Sequence, residues 1–148
     1  MRSVLLSVIL LTFVGPIFPA EEEISVTTLV MIATEKNAIV EEKLKSISES
    51  IRVKEPKLTG LTLAHTYHQN IKIGASKEID LGDDKKFTIT LIQKKDSDKV
   101  TLRLRPPVGG EISYTCTCGA YVPVCTGLTN ANGDRIIVAV MAKPCIIK

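Results

Sequence analysis

From Pro56 onward, apolar and polar residues alternate in steps of two, and Gly, Pro, Asn and Asp interrupt the pattern at intervals. That period belongs to the pleated strand, whose side chains point to opposite faces in turn. Most of the chain must therefore pair edge to edge. Phe87, Ile89 and Leu91 alternate with Thr88, Thr90 and Ile92. Beyond Asp96-Ser97-Asp98, Val100, Leu102 and Leu104 alternate with Thr101, Arg103 and Arg105. A four-residue loop sets Leu91 opposite Leu102 and Ile89 opposite Leu104, like against like. Pro106-Pro107 and Gly109-Gly110 end this hairpin.

Other stretches follow the same period. Leu61, Leu63, His65 and Tyr67 share one predicted face, continued by Ile71 and Ile73, and Gly74 to Gly82 reads as turn. A further hairpin is expected between Ile112–Cys118 and Tyr121–Gly127. Asn132-Gly133 is a two-residue hairpin signal. It joins the preceding strand to Arg135–Ala142, whose apolar run reads as a central, buried strand.

Ahead of Pro56 the period changes. Ile24 to Thr34 is apolar on both faces in its second half and reads as a strand covered on both sides. Val40, Leu44, Ile47 and Ile51 then recur at helical spacing, which predicts an amphipathic helix over residues 38–52. Asn37 is its predicted cap, Glu41 and Lys45 form an i,i+4 pair on the wet face, and Pro56 stops it. The expected fold is α+β: one helix packed on a mainly antiparallel sheet of about six or seven strands.

The first twenty residues, MRSVLLSVILLTFVGPIFPA, have the tripartite form of a secretory signal. Arg2 is the basic start, Val4 to Val14 the apolar run, Gly15-Pro16 the break and Ala20 the small residue at the cut. The run is shorter than the roughly 20 apolar residues of a spanning helix. The expectation is a signal peptide over residues 1–20 and a single domain over 21–148, with no membrane span after cleavage. The protein is then secreted or periplasmic. The chain of 148 residues carries 19 basic and 16 acidic side chains. This balance lacks the basic excess of a nucleic-acid binder, and no nucleic acid is expected as partner. Aromatics are scarce, so the core is expected to be aliphatic.

Four cysteines, Cys116, Cys118, Cys125 and Cys145, lie in the last third. In an oxidising compartment an even count is read first as disulfides, and four allow three pairings. Cys116 and Cys118 sit two apart on one strand, where a direct bond strains the backbone. The expected hairpin sets Cys116 against Cys125 and leaves Cys118 for Cys145. The alternative is thiol chemistry: Cys116-Thr-Cys118 is a C-x-C that can hold Cu(I) or Zn(II) as thiolates or serve a redox reaction. His65 and His68 fall on opposite faces of a strand and do not share a ligand sphere. The acidic groups Asp80, Asp83, Asp84 and Asp96, Asp98 match no calcium loop and read as turns. Lys86, Lys94, Lys95, Arg103 and Arg105 form a basic face on one hairpin. No nucleophile has a matched base, so neither an enzyme nor a cofactor is expected.

The strand–helix–hairpin order, closing in VPVCTGLTNANGDRIIVAVMAKP, resembles short exported proteins of bacterial envelopes. Residues 121–144 are also similar to the closing hairpin of outer-membrane secretins, where a Pro-Val strand and a Gly turn precede an apolar strand ending in Pro. The long pore-forming region of a secretin is missing, so the resemblance implies no channel activity. These readings together predict a non-catalytic exported module that binds a protein partner, with strand addition at a sheet edge as the physical route.

Overall fold

The computed structural model describes residues 22–96 and 98–144, with Gly15. The rest of the proposed leader, Ser97 and Cys145 lie outside the described residues. Eight strands and one helix follow in the order β1 (Glu23–Thr34), α1 (Lys45–Lys54), β2 (Gly60–Lys72), β3 (Ser76–Asp80), β4 (Lys86–Asp96), β5 (Lys99–Arg105), β6 (Ile112–Thr117), β7 (Val122–Thr129) and β8 (Arg135–Pro144). They form two four-stranded antiparallel sheets, β2-β1-β8-β7 and β3-β4-β5-β6. The α+β class holds in its broad form. The expected single sheet of six or seven strands is corrected to two facing sheets with the helix on the outer side of the first.

This layering follows from the apolar strands at the centre of the first sheet. In β8, Ile137, Val138, Ala139, Val140 and Ala142 are all fully buried. Val138, Val140 and Ala142 face the second sheet and meet Phe87, Ile89, Leu91, Val100, Leu102 and Leu104. Ile137 and Ala139 face the other way and meet Leu44, Ile47 and Ile51 of the helical segment. β1 divides likewise: Ile24, Val26 and Val30 look between the sheets, and Leu29, Met31 and Ala33 look toward the helix. A strand apolar on both faces needs a layer on each side.

The β4–β5 pairing has the expected partners, Leu91 opposite Leu102 and Ile89 opposite Leu104. Two register shifts nearer the turn tighten the loop, so Asp96 faces Lys99. The β7–β8 hairpin forms as well. Its loop is longer than the two-residue turn predicted from Asn132-Gly133. Asn130 N–H donates to Asp134 O at 2.8 Å, and Asn130 Oδ1 accepts from Asn132 N–H at 3.0 Å and Asp134 N–H at 2.9 Å.

Three local expectations are overturned. The helix begins at Lys45, after a 3-10 turn at Glu42–Leu44, and not at residue 38. Residues 39–41 are instead drawn onto the edge of β2. Leu61 N–H donates to Ile39 O (2.9 Å), Glu41 N–H to Leu61 O (3.2 Å) and Leu63 N–H to Glu41 Oε1 (3.1 Å). Asn37 Oδ1 accepts from Ile39 N–H at 3.0 Å in a local turn and does not cap the helix. Glu41 is thus occupied, and Lys45 pairs with Glu42.

Second, β2 is a single strand whose apolar residues do not share one face. The register shifts between Val30 and Met31, so that Val30 faces His65 and Met31 faces Leu63, leaving Ala64 as an extra residue. Leu61 and Leu63 therefore point to the helix, and Tyr67 and Ile71 point between the sheets. Third, the segment read as turn from Gly74 to Gly82 contains β3. Ile79 is its one buried residue, too little to register as a pattern.

Phe87 is fully buried between the sheets. Its truncation removes a large side chain from a site with no solvent access. Phe87→Ala is expected to lower stability by about 3–5 kcal/mol in urea unfolding. A second test concerns the β7–β8 loop. Lys36 Nζ donates to Asn132 O (2.6 Å) and lies 3.6 Å from Asp134 Oδ1. The Asp134 carboxyl is held below its ordinary range, first by a hydrogen bond from Thr34 and then by Lys36 and Asn130, with burial opposing. Its folded-state pKa lies below its unfolded value. Its contribution to stability is therefore complete above the ordinary carboxylate range and is lost as the pH falls through the lower folded value. Wild type is expected to exceed Asp134→Asn in urea midpoint at neutral pH, with the gap closing in acid.

Candidate functional site

The three described cysteines form no disulfide with one another and lie in three different settings. Cys116 lies on β6 opposite Val100 and is buried in the core between the sheets, its Sγ 3.5 Å from Val100 O. Cys118 follows on the same side, half-buried against that core, and its N–H donates to Asp98 O at 2.6 Å. Cys125 lies on β7 opposite Ile137, facing the helix side of the first sheet, and is exposed. It lines an open cavity of about 300 Å³ with Gly127, Leu128, Thr129, Arg135 and Ile136.

The expected hairpin between Ile112–Cys118 and Tyr121–Gly127 does not form, and the Cys116–Cys125 bond goes with it. β6 pairs with β5, and β7 pairs with β8. Gly119, at φ +87°, turns the chain from one sheet to the other, and its N–H donates to Ala142 O at 3.0 Å. β8 takes β7 as one of its two neighbours in the first sheet, and β6 ends the second sheet beside β5. Cys116 and Cys125 consequently end on opposite faces of the first sheet.

All three thiols have pKa values above the ordinary thiol value. Burial is the main cause for each. The neighbouring Cys118 adds to it for Cys116, Asp98 for Cys118 and Glu55 for Cys125. Lys94 partly offsets the rise at Cys118, and Arg135 and Lys54 do so at Cys125. A protonated thiol is a poor nucleophile and a poor metal ligand at neutral pH. Among the described residues, no group of three or more His, Cys, Asp or Glu converges on a common point.

His65 and His68 are both exposed and lie on opposite faces of β2. His68 Nδ1 is 3.2 Å from Thr27 Oγ1, and the His65 ring lies 6.2 Å from that of Tyr67. The Asp80 to Asp84 group is a turn: Asp80 Oδ1 accepts from Gly82 N–H at 2.8 Å, and Asp83 and Asp84 have positive φ. Most of the basic face is matched by carboxylates. Arg103 and Arg105 meet Glu111, Lys94 meets Glu22 and Lys86 meets Glu78. None of the described helices is long and apolar enough to cross a membrane.

Strand addition at a sheet edge is expected from the sequence, which does not identify which edge is open. Four strands end the two sheets: β2, β7, β3 and β6. Three of them carry features that discourage pairing. β2 has the bulge at Ala64 and is covered at its start by residues 39–41. β7 has Pro123 and an irregular register between Cys125 and Thr129. β3 is five residues long and carries Lys77, Glu78 and Asp80. β6 reads Ile-Ser-Tyr-Thr-Cys-Thr, with no charge, no proline and no bulge.

The hydrogen bond from Cys118 N–H to Asp98 O sets the phase of β6. Antiparallel positions alternate, so Ile112, Tyr114 and Cys116 bond to β5. The N–H and C=O groups of Ser113 and Thr115 then point outward, and among the described residues no backbone partner meets them. The side chains of Ser113, Thr115 and Thr117 are exposed, and Thr115 Oγ1 is 3.0 Å from Thr101 Oγ1.

No protein-family model matches the chain, and neither curated proteins nor solved structures yield a match.

Native thiol labelling tests this arrangement. Cys125 is expected to react first and Cys116 only on unfolding, with Cys125 labelling rising in the alkaline range above that of an unperturbed thiol. Mass spectrometry of the labelled peptides reads the order.

Proposed function

We propose that the chain is an exported, non-catalytic module that binds a protein partner by accepting an extended strand at an open sheet edge. The observation that carries this reading is β6, an uncharged edge strand whose outward N–H and C=O groups at Ser113 and Thr115 have no backbone partner among the described residues. Backbone hydrogen bonds supply affinity in strand addition, and alternate side chains supply selectivity. The burial-raised pKa values of the thiols fit a structural role for cysteine better than a catalytic one.

Export rests on the leader pattern of residues 1–20 and places the module in the periplasm or outside the cell. In that setting we assign Cys118 to a disulfide with Cys145. The support is chain reach: Gly119, next to Cys118, is hydrogen-bonded to Ala142, three residues before Cys145.

Cross-linking in the native compartment, followed by non-reducing peptide mass spectrometry, tests all parts together. The expected result is a mature chain starting near Glu21, a Cys118–Cys145 peptide, and protein cross-links mapping to residues 111–117. Cross-links that avoid β6 would overturn the binding reading. Cys116 and Cys118 recovered together as thiolates on a bound metal would favour the C-x-C alternative.

A further inference from the structure

We infer that the strand taken up at β6 is β6 of a second copy of this chain, in antiparallel pairing about a two-fold axis. This rests on the reading of β6 as the binding edge and specifies its occupant. A two-fold axis brings every residue near its own equivalent, so any charged side chain close to the axis meets a like charge. Among the four edges, β3 would set Glu78 against the Glu78 of another copy. β6 bears no charge and escapes this penalty.

The backbone phase selects the register. The outward groups belong to Ser113 and Thr115, so Ser113 of one copy faces Thr115 of the other, and the pair repeats across the axis with four N–H to C=O bonds. Tyr114 then lies on the axis in a non-hydrogen-bonded pair, where side chains approach most closely. It meets its own counterpart as an aromatic pair. Ile112 comes opposite Cys116. Ile112 and Tyr114 are half-buried at the rim of the core and gain cover from this contact. The outer face continues a hydroxyl row that already exists within one copy between Thr101 and Thr115. The product is a continuous eight-stranded sheet, built from two copies of the β3-β4-β5-β6 sheet.

Sedimentation velocity over a concentration series up to about 100 μM tests this, in the range where weak dimers form. Wild type is expected to be a dimer that dissociates on dilution. Ser113→Lys brings charge to the edge, and Thr115→Pro removes an outward N–H that the fold does not use. Each is expected to weaken the dimer by about tenfold or more, with melting temperature and circular dichroism close to wild type. If Thr115→Pro unfolds, Ser113→Lys still decides. A wild type that stays monomeric overturns the second-copy assignment and leaves the wider binding reading to the cross-link map. A dimer that Ser113→Lys leaves intact places the contact elsewhere and overturns the assignment as well.

Discussion

The two-sided burial of β8 is the constraint from which the rest of the architecture follows. A run of Ile, Val and Ala without a polar face cannot lie against water on either side, nor at the edge of a sheet. It therefore takes β1 and β7 as lateral neighbours, α1 as one cover and the second sheet as the other. β7 joins β8 in the first sheet, and β6 stays beside β5 in the second, with the turn at Gly119 between them. That single allocation separates Cys116 from Cys125 and leaves β6 at an edge. The location of the thiols and the exposure of the edge thus have one cause.

The bulge at Ala64 plays a similar part within one strand. β2 must serve the helix layer with Leu61 and Leu63 and the inter-sheet core with Tyr67 and Ile71. Strict alternation would place all four residues on one face. One extra residue reverses the phase midway, so that each half of the strand reaches its own core. The same end of β2 is covered by residues 39–41, which is why the helix gives up its first turns there. The Glu41 N–H finds a partner on β2, Leu61 O, where the first turn of a helix would have left it unmet.

At the candidate sites the chemistry is spread out. The C-x-C thiols face the apolar core, Cys125 faces the opposite side of a sheet, the histidines lie on opposite faces of β2, and most cations of the β4–β5 hairpin sit beside carboxylates. What stands apart is an edge with ordinary backbone groups and no features that discourage pairing. Such a surface is defined by which features are missing from a strand. A search for reactive side chains passes over it.

The sequence by itself determined the period of most strands, the helix stripe of Leu44, Ile47 and Ile51, the stop at Pro56, the β4–β5 partners and the central character of β8. Each of these depends on residues a few positions apart, or on one hairpin whose loop is short. Only the tertiary structure decided that the strands divide into two sheets, that Ala64 reverses the face of β2, that residues 39–41 are extended, and that β6 pairs on one side alone and ends its sheet. Alternation specifies that a strand needs a neighbour and a covered face. Which neighbour it receives is settled by competition among distant strands for the few positions that bury the most apolar residues on both sides.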